Sequence, residues 1–262
     1  MIKFQSFLSG SSGNCTYITD DNTHILVDCG ATAKYITACL GRLGILPTQI
    51  DAILITHEHR DHVSGAGVFA RKYGTPIIAT SKTIDAMRTI TGNVPDSCIS
   101  TCASHTEFTI GEIGIRPFSI PHDASEPVGY RLSDKDGTFT IATDLGHISD
   151  ELIEDLSGSE SIIIEANHDL EMLRTGIYPY HLKKRISGER GHLSNDTCAK
   201  LCAMLAKSGT KSFWLGHLSK ENNTPTLAFE TVREILKEDG FSVGTDVGLG
   251  VLPANWLNQE DI

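Results

Sequence analysis

The residues whose types and spacing promise chemistry are concentrated in Thr56-His57-Glu58-His59-Arg60-Asp61-His62. They follow Ala52-Ile53-Leu54-Ile55, an apolar run that reads as a buried β-strand, so four metal-ligating side chains stand where a strand ends. In an extended backbone, residues at i and i+2 point the same way, which lets the imidazoles of His57 and His59 approach one cation. Asp61 and His62 fall at the turn into a helix and can face a second cation beside the first. Neutral imidazole nitrogens and a carboxylate suit Zn²⁺ and related divalent ions. The order His-x-His-x-Asp-His after a buried strand is far more specific than a lone histidine in a solvated loop.

Three further donors also stand at the ends of expected strands. Ile113 to Ile120 runs into Pro121-His122, Thr138 to Ala142 into Thr143-Asp144-Leu145-Gly146-His147, and Lys211 to Leu215 into Gly216-His217-Leu218-Ser219. Alone, His122 reads as a polar loop residue and Asp144 as the cap of a helix beginning near Ser149. With His57 and His59 upstream, His122 is the expected third ligand of a first metal and His217 the last ligand of a second. Asp144 can bridge the two cations with its two oxygens. The role of His147 stays open, as do those of His168 and His181.

The elements that must position these residues are legible in outline. Strands are expected over 2–8, 16–19, 24–27, 52–55, 76–79, 106–110, 113–120, 128–132, 138–142, 161–164 and 211–215. Helices are expected over 31–43, 64–73, 81–90, 196–207 and 224–238, several closed by a glycine such as Gly44 or Gly74. Between the first two strands, Ser9-Gly10-Ser11-Ser12-Gly13-Asn14 is either a flexible hairpin loop or a turn whose hydroxyls and backbone N–H groups hold phosphate, with Ser11, Ser12 and Asn14 the candidate contacts. Tyr180-His181-Leu182-Lys183-Lys184-Arg185, followed by Glu189-Arg190, is the densest basic cluster in the chain. Such a run usually marks a solvated helix face. Beside a dimetal cleft it is also a source of phosphate contacts from Lys183, Lys184, Arg185 and Arg190.

Composition sets bounds. The chain has 262 residues, 40% of them hydrophobic, enough to bury a sizeable core, and neither a repeat nor a long linker divides it, so one domain over 1–262 is expected. No run approaches the roughly 18 apolar residues of a membrane span, and the N-terminal residues lack the apolar stretch of a signal peptide, which points to the cytoplasm. Seven cysteines without a Cys-x-x-Cys pair argue against a disulfide framework. Cys198 and Cys202 are one helical turn apart, as are Cys98 and Cys102 if that stretch is helical, and both pairs read as small buried positions. A formal net charge of -11 argues against a broadly basic nucleic-acid surface but leaves room for a local one.

Taken together, the histidine motif and the strand-end donors resemble the metallo-β-lactamase fold superfamily, and the resemblance extends over nearly the whole chain. It implies an α/β (α+β) fold, the αββα sandwich with two mixed β-sheets flanked by helices. Asp28, in Asp28-Cys29-Gly30 after the third strand, matches a superfamily position that braces the ligand loop. Asp144 resembles the hydrolase branches, since the commonest true β-lactamases carry cysteine there. Glu165-Ala166 and Gly191-His192-Leu193-Ser194 look like two motifs of the transfer-RNA 3′-processing phosphodiesterases, but their long exosite insertion and the large insert of RNase J relatives are missing. The compact combination, with Glu165-Ala166-Asn167-His168-Asp169, is most similar to the YycJ (WalJ) subfamily, which implies a DNA exonuclease acting from 5′ ends.

The expected chemistry follows. Two divalent ions, Zn²⁺ foremost and Mn²⁺ as an alternative, would be held by His57, His59 and His122 and by Asp61, His62 and His217, with Asp144 between. Metal binding can lower the pKa of water from about 15.7 to near 7, so a bridging hydroxide is available to attack phosphorus in line. Asp61 is a candidate for orienting that nucleophile. By its motif, His192 is the candidate proton donor to the leaving sugar oxygen, with Glu165 orienting it. The implied partner is nucleic acid, DNA in particular, and no membrane. The metal ligands alone equally permit a small-substrate hydrolase of the lactonase or glyoxalase II type, and an RNA-processing nuclease is a further alternative. A non-catalytic module would be expected to have lost ligands, and none is lost here.

Overall fold

Runs rich in β-branched residues alternate with capped, amphipathic segments along the chain, and each kind takes the element its periodicity demands. The structure, a computed structural model, describes residues 1–258. They form two compact units: Met1–Ser119 with Ala124–Asp136 and the stretch from Pro253 onward, and Ile120–Asp123 with Gly137–Leu252.

The first unit holds a six-stranded mixed sheet of β1 (Lys3–Leu8), β2 (Cys15–Thr19), β3 (His24–Val27), β4 (Ala52–Leu54), β5 (Ile77–Thr80) and β6 (Ile99–Cys102), hydrogen-bonded in that order. β1 to β3 are antiparallel and β3 to β6 parallel. The inner parallel strands are almost unbroken Ile, Leu, Val and Ala because both their faces are covered. The helices of this unit are α1 (Ala33–Arg42), α2 (Arg60–Val63), α3 (Ala66–Tyr73) and α4 (Ser81–Thr91). Thr32 caps α1 by accepting from the Tyr35 N–H, which leaves Ile36, Cys39 and Leu40 to pack with Phe7, Leu26, Ile53 and Phe69 in one apolar cluster. An antiparallel meander, β7 (Phe108–Ile110), β8 (Ile113–Ser119) and β9 (Val128–Asp134), completes the unit.

The second unit is built on four parallel strands, β10 (Gly137–Ala142), β11 (Ser161–Glu165), β12 (Ser212–Gly216) and β13 (Gly248–Val251), paired in sequence order. Between them run α5 (Asp150–Leu156), α6 (Leu170–Thr175), α7 (Tyr180–Ile186), α8 (Asn195–Lys207) and α9 (Pro225–Glu238). Ser149, Asp169, Ser194 and Thr224 each accept a hydrogen bond from the first turn of the helix that follows. α8 is buried at eight positions, among them Cys198 and Cys202, free cysteines that pack as small apolar residues.

Two expectations change. The helix read over 64–73 starts two residues later, at Ala66, and a separate turn of helix, α2, precedes it and ends at Val63; between them Gly65 donates its N–H to the Cys29 carbonyl and lies against the Ala31 carbonyl. Cys98 and Cys102 do not share a helix, since 99–102 is the edge strand β6 paired with β5. β6, with exposed Ser100 and Thr101, and β13, with two glycines, lack the apolar alternation that betrays a strand.

The end of β3 is laced to the histidine motif through the backbone. The Cys29 N–H donates to the His62 carbonyl at 2.7 Å, the Asn14 N–H to the Asp61 carbonyl at 2.7 Å, and the Gly30 N–H to the Asn14 carbonyl at 2.8 Å. A Cβ on Gly30 would fall inside the Asp61 carbonyl group, which no rotamer change relieves. Gly30→Ala is therefore expected to cost about 3 kcal/mol or more in urea denaturation. Gly41→Ala, in α1 with open space around it, is expected to gain about 0.5–1 kcal/mol. Equal midpoints for the two variants would contradict this account of the loop.

Candidate metal centre

In the first unit, β4 delivers Thr56 and His57 to a buried position, and the short α2 carries Asp61 and His62 back toward them. The His57 ring lies 4.6 Å from His59 and 4.0 Å from His62, centroid to centroid. Asp28, buried at the end of β3, organises the group. Its Oδ1 accepts from the Thr56 N–H at 2.9 Å, and its Oδ2 accepts from Nδ1 of His62 at 2.7 Å and from the Thr56 hydroxyl at 2.9 Å. A carboxylate only accepts, so Nδ1 of His62 carries the proton and Nε2 carries the lone pair a cation needs. The Thr56 oxygen also lies 3.0 Å from Nδ1 of His57, which turns the Nε2 edge of that ring away from the strand. Asn14, from the Ser-Gly loop, sets its amide nitrogen 3.0 Å from Nε2 of His62 and 3.4 Å from Asp61 Oδ2, whereas Ser11 and Ser12 are exposed.

In the second unit the ends of β10, β11 and β12 bring Asp144, Glu165 and His217 together with His192. Each offers a ligand atom within 4.8 Å of the others. Nδ1 of His217 lies 3.1 Å from Asp144 Oδ1 and 3.2 Å from Glu165 Oε1, and Nδ1 of His192 donates to Glu165 Oε1 at 2.8 Å. Oε2 of Glu165 accepts from the N–H groups of Leu145 and Leu193 at 2.8 and 3.0 Å. His122 is buried, 3.7 Å from Asp144 Oδ1 through Nε2, and its Nδ1 donates to the Gly191 carbonyl. Its lone pair is therefore also on Nε2.

The electrostatics suit a cation. Burial opposes ionisation of Glu165, but the charges and hydrogen bonds of His192 and His217 outweigh it and hold the carboxyl at about 2. Burial likewise opposes protonation of His217, yet Asp144 and Glu165 raise it to about 10. For His192 the order is the same: burial lowers the pKa, and the Glu165 and Asp144 charges raise it further than burial lowers it. Two ionised carboxylates in a water-poor pocket demand positive charge, which a divalent cation or bound protons can supply. The donor set of imidazoles and carboxylates is of the kind that holds Zn²⁺ or Mn²⁺.

Asp28, Asp144 and His217 have left-handed backbones, with φ of 60°, 62° and 55°, a conformation that non-glycine residues adopt at a cost and that concentrates at functional sites. The cluster of basic residues after α6 is tied to the same place. Arg185 forms a two-bond pair with Asp123, at 2.6 and 3.0 Å, and Arg190 donates to the His122 carbonyl at 3.1 Å. Lys183 donates to the Arg174 carbonyl, while Lys184 is exposed. His147 is exposed and donates to the Glu189 carbonyl, and His181 is also exposed. Thr56 and Asp123 receive no role from the sequence, yet Thr56 hydrogen-bonds Asp28 and Asp123 holds Arg185; their only signal is adjacency to His57 and His122.

The β-lactamase superfamily domain pattern matches residues 23–218. The chain belongs to that superfamily, and its fold is the metallo-β-lactamase fold, two mixed β-sheets flanked by helices. It is 41% identical over 246 residues to Exodeoxyribonuclease WalJ of Streptococcus pneumoniae serotype 2, covering 93% of this chain and 91% of that one. It is 37% identical over 243 residues to Exodeoxyribonuclease YycJ of Bacillus anthracis, covering 93% and 92%. Among solved structures, the metallo-β-lactamase fold protein YhfI of Bacillus subtilis superposes with a TM-score of 0.75 over 97% of this chain and 98% of that one, at 14% identity.

His168 lies buried behind this group, and neither ring nitrogen has a hydrogen-bond partner among the described residues. Burial lowers its pKa to about 4. Between that value and the 6.5 of an unperturbed histidine the unfolded chain binds the proton and the folded chain refuses it, so stability falls as pH drops through this window. The loss is about 1.4 kcal/mol for each pH unit crossed inside the window. Urea denaturation of wild type and His168→Gln between pH 7 and 4 is expected to show a shallower fall in the variant. Parallel curves would mean that His168 is protonated in the folded protein.

Proposed function

We propose that the protein is a two-metal phosphodiesterase that degrades nucleic acid, a DNA exonuclease acting from 5′ ends. His57, His59 and His122 would hold one cation and Asp61, His62 and His217 the other, with Asp144 available to both. This ligand set is supported by the order of the motifs and by membership of the superfamily. Zn²⁺ is the resident ion that the histidine-rich set favours, with Mn²⁺ as the substitute. When bound, the cations supply the charge that neutralises a phosphodiester and the acidity that makes water nucleophilic at neutral pH. The cytoplasm, where seven reduced cysteines are at home, is the setting that fits.

The observation that carries the reading is the Glu165–His192 pair beside Asp144. Cleaving a phosphodiester expels an alkoxide of high pKa, which needs a proton in the transition state. Glu165 is ionised, fixed by two backbone N–H groups, and accepts from Nδ1 of His192. That contact raises the affinity of the imidazole for its proton and leaves Nε2–H as the donor toward the leaving oxygen. Asp61, partly exposed at 25%, is placed by Asn14 and can orient the attacking water. The two relatives similar along 93% of the chain are named as exodeoxyribonucleases, which supports DNA as the polymer.

The test uses metal-loaded protein on 5′-labelled duplex DNA, a matching RNA and bis(p-nitrophenyl) phosphate, whose leaving group departs without a proton. Wild type is expected to release nucleotides stepwise from the DNA 5′ end. His192→Ala is expected to lose about 10²–10⁴-fold on DNA and far less on the activated ester, and His59→Ala is expected to lose both. An equal loss on the two substrates in His192→Ala would remove the proton-donor role. Turnover of thioesters or lactones with no cutting of either polymer would remove the nuclease reading.

A further inference from the structure

The segment from α6 to α7 leaves unusual side chains in solvent. Leu170, Ile177 and Tyr180 are 53%, 84% and 80% exposed, three of the chain's large exposed hydrophobics within eleven residues. Scattered single apolar residues need no explanation, but a local group of them marks a binding surface. The charge of the segment is equally local. From Leu170 to Arg190 it carries Arg174, Lys183, Lys184, Arg185 and Arg190 against two acids, Glu171 and Glu189, in a chain with 22 basic and 33 acidic residues; Arg174 is paired with Glu171 and Arg185 with Asp123, which leaves Lys183, Lys184 and Arg190 as the excess cations. His181 and Lys184 are exposed on α7 beside Tyr180.

This surface is held in register with the catalytic loop. α7 has seven residues and spans about 10 Å. Beyond it, Arg185 grips Asp123, Arg190 grips the His122 carbonyl, and the next residues, Gly191 and His192, contact His122 and Glu165. A chain of phosphates lying over α7 therefore leads toward His192.

We propose that α6 and α7 form the seat of a single-stranded DNA end, with Tyr180 and Ile177 stacking on unpaired bases and His181 and Lys184 facing phosphates. This deepens the nuclease reading and rests on it. An exposed phenol ring can cover any base face that is not already stacked in a duplex, and an anionic polymer with exposed bases matches both the ring and the basic rim. In a symmetric dimer the patch would face its own copy, cation against cation, which favours a nucleic acid over a second copy of this chain.

The experiment measures binding of metal-loaded protein to a 3′-fluorescein oligothymidine, phosphorothioate-linked to resist cleavage, and to a blunt duplex of the same length. Tyr180→Ala is expected to weaken single-strand binding about tenfold, Tyr180→Phe to retain it, and the duplex to bind almost as before. Lys184→Ala is expected to flatten the salt dependence by about 0.7 in the slope of log affinity against log salt. Leu46→Ala, an exposed apolar residue elsewhere, is the control and should change neither. If wild type binds and cuts DNA but Tyr180→Ala and Ile177→Ala bind it equally well, the strand lies elsewhere and the nuclease reading stands. A change in sedimentation without a change in oligonucleotide affinity would assign the patch to self-association and overturn the proposal. If wild type neither binds nor cuts any polynucleotide, the nuclease reading has failed first.

Discussion

Buried carboxylates that are fully hydrogen-bonded are what the rest of the site depends on. An ionised carboxylate taken out of water is costly unless donors surround it, and then it becomes a rigid fixture. Asp28 meets this condition with the Thr56 N–H, the Thr56 hydroxyl and His62. Glu165 meets it with two backbone N–H groups, His192 and His217. Each carboxylate takes the inner nitrogen of an imidazole and so decides which nitrogen of that ring is left for chemistry. The same device thus leaves Nε2 of His62 with its lone pair and fixes the orientation of the His192 ring. What differs is the surrounding charge: beside Glu165 stands Asp144, and their charges raise the proton affinity of His192 further than burial lowers it.

Geometry at the strand ends imposes a second constraint. Side chains within a strand alternate between faces, so a donor must come from the turn just beyond it to face along the strand axis. The left-handed φ of Asp28, Asp144 and His217 makes that turn within one or two residues of β3, β10 and β12. A glycine would adopt this backbone more readily but bring no ligand atom. The strain is tolerated because neighbouring contacts over-determine the conformation: the Asp28 N–H donates to the Leu54 carbonyl, and Asn167 donates to the carbonyl of His217.

These causes explain how much of the fold and the site is legible in the sequence. His57, His59, Asp61 and His62 are close along the chain, and His122, Asp144 and His217 each follow an apolar run, so periodicity and residue type are enough to nominate them. The inner strands β3, β4 and β11 declare themselves by unbroken Ile, Leu and Val. Edge strands β6 and β13 do not, because half their residues are small, polar or glycine and their pairing is decided by long-range packing. The start of α3 only at Ala66 is invisible for a similar reason. The residue before it, Gly65, is held by the Cys29 and Ala31 backbone, more than thirty residues away. Asp28 and Glu165 stand out only by resemblance, since nothing local distinguishes a buried bracing carboxylate from a turn residue. Thr56 and Asp123 offer no signal beyond their neighbours.

The basic run after α6 shows how a charge pattern divides once it is folded. As sequence, Lys183, Lys184, Arg185 and Arg190 form one cluster with one meaning. In the structure Lys183 joins α7 to the end of α6, while Arg185 and Arg190 clamp Asp123 and the His122 carbonyl. Guanidinium groups are suited to that work because their planar fork fixes the orientation of what they hold. Lys184, exposed on the same helix, keeps the compact and mobile charge that a phosphate contact uses. The arginines therefore set where the loop of His122 stands relative to α7, and Lys184 is left as an exposed cation on that helix. In so acidic a chain the attraction of any polyanion has to be local, and this division leaves an exposed cation on the helix that precedes His192.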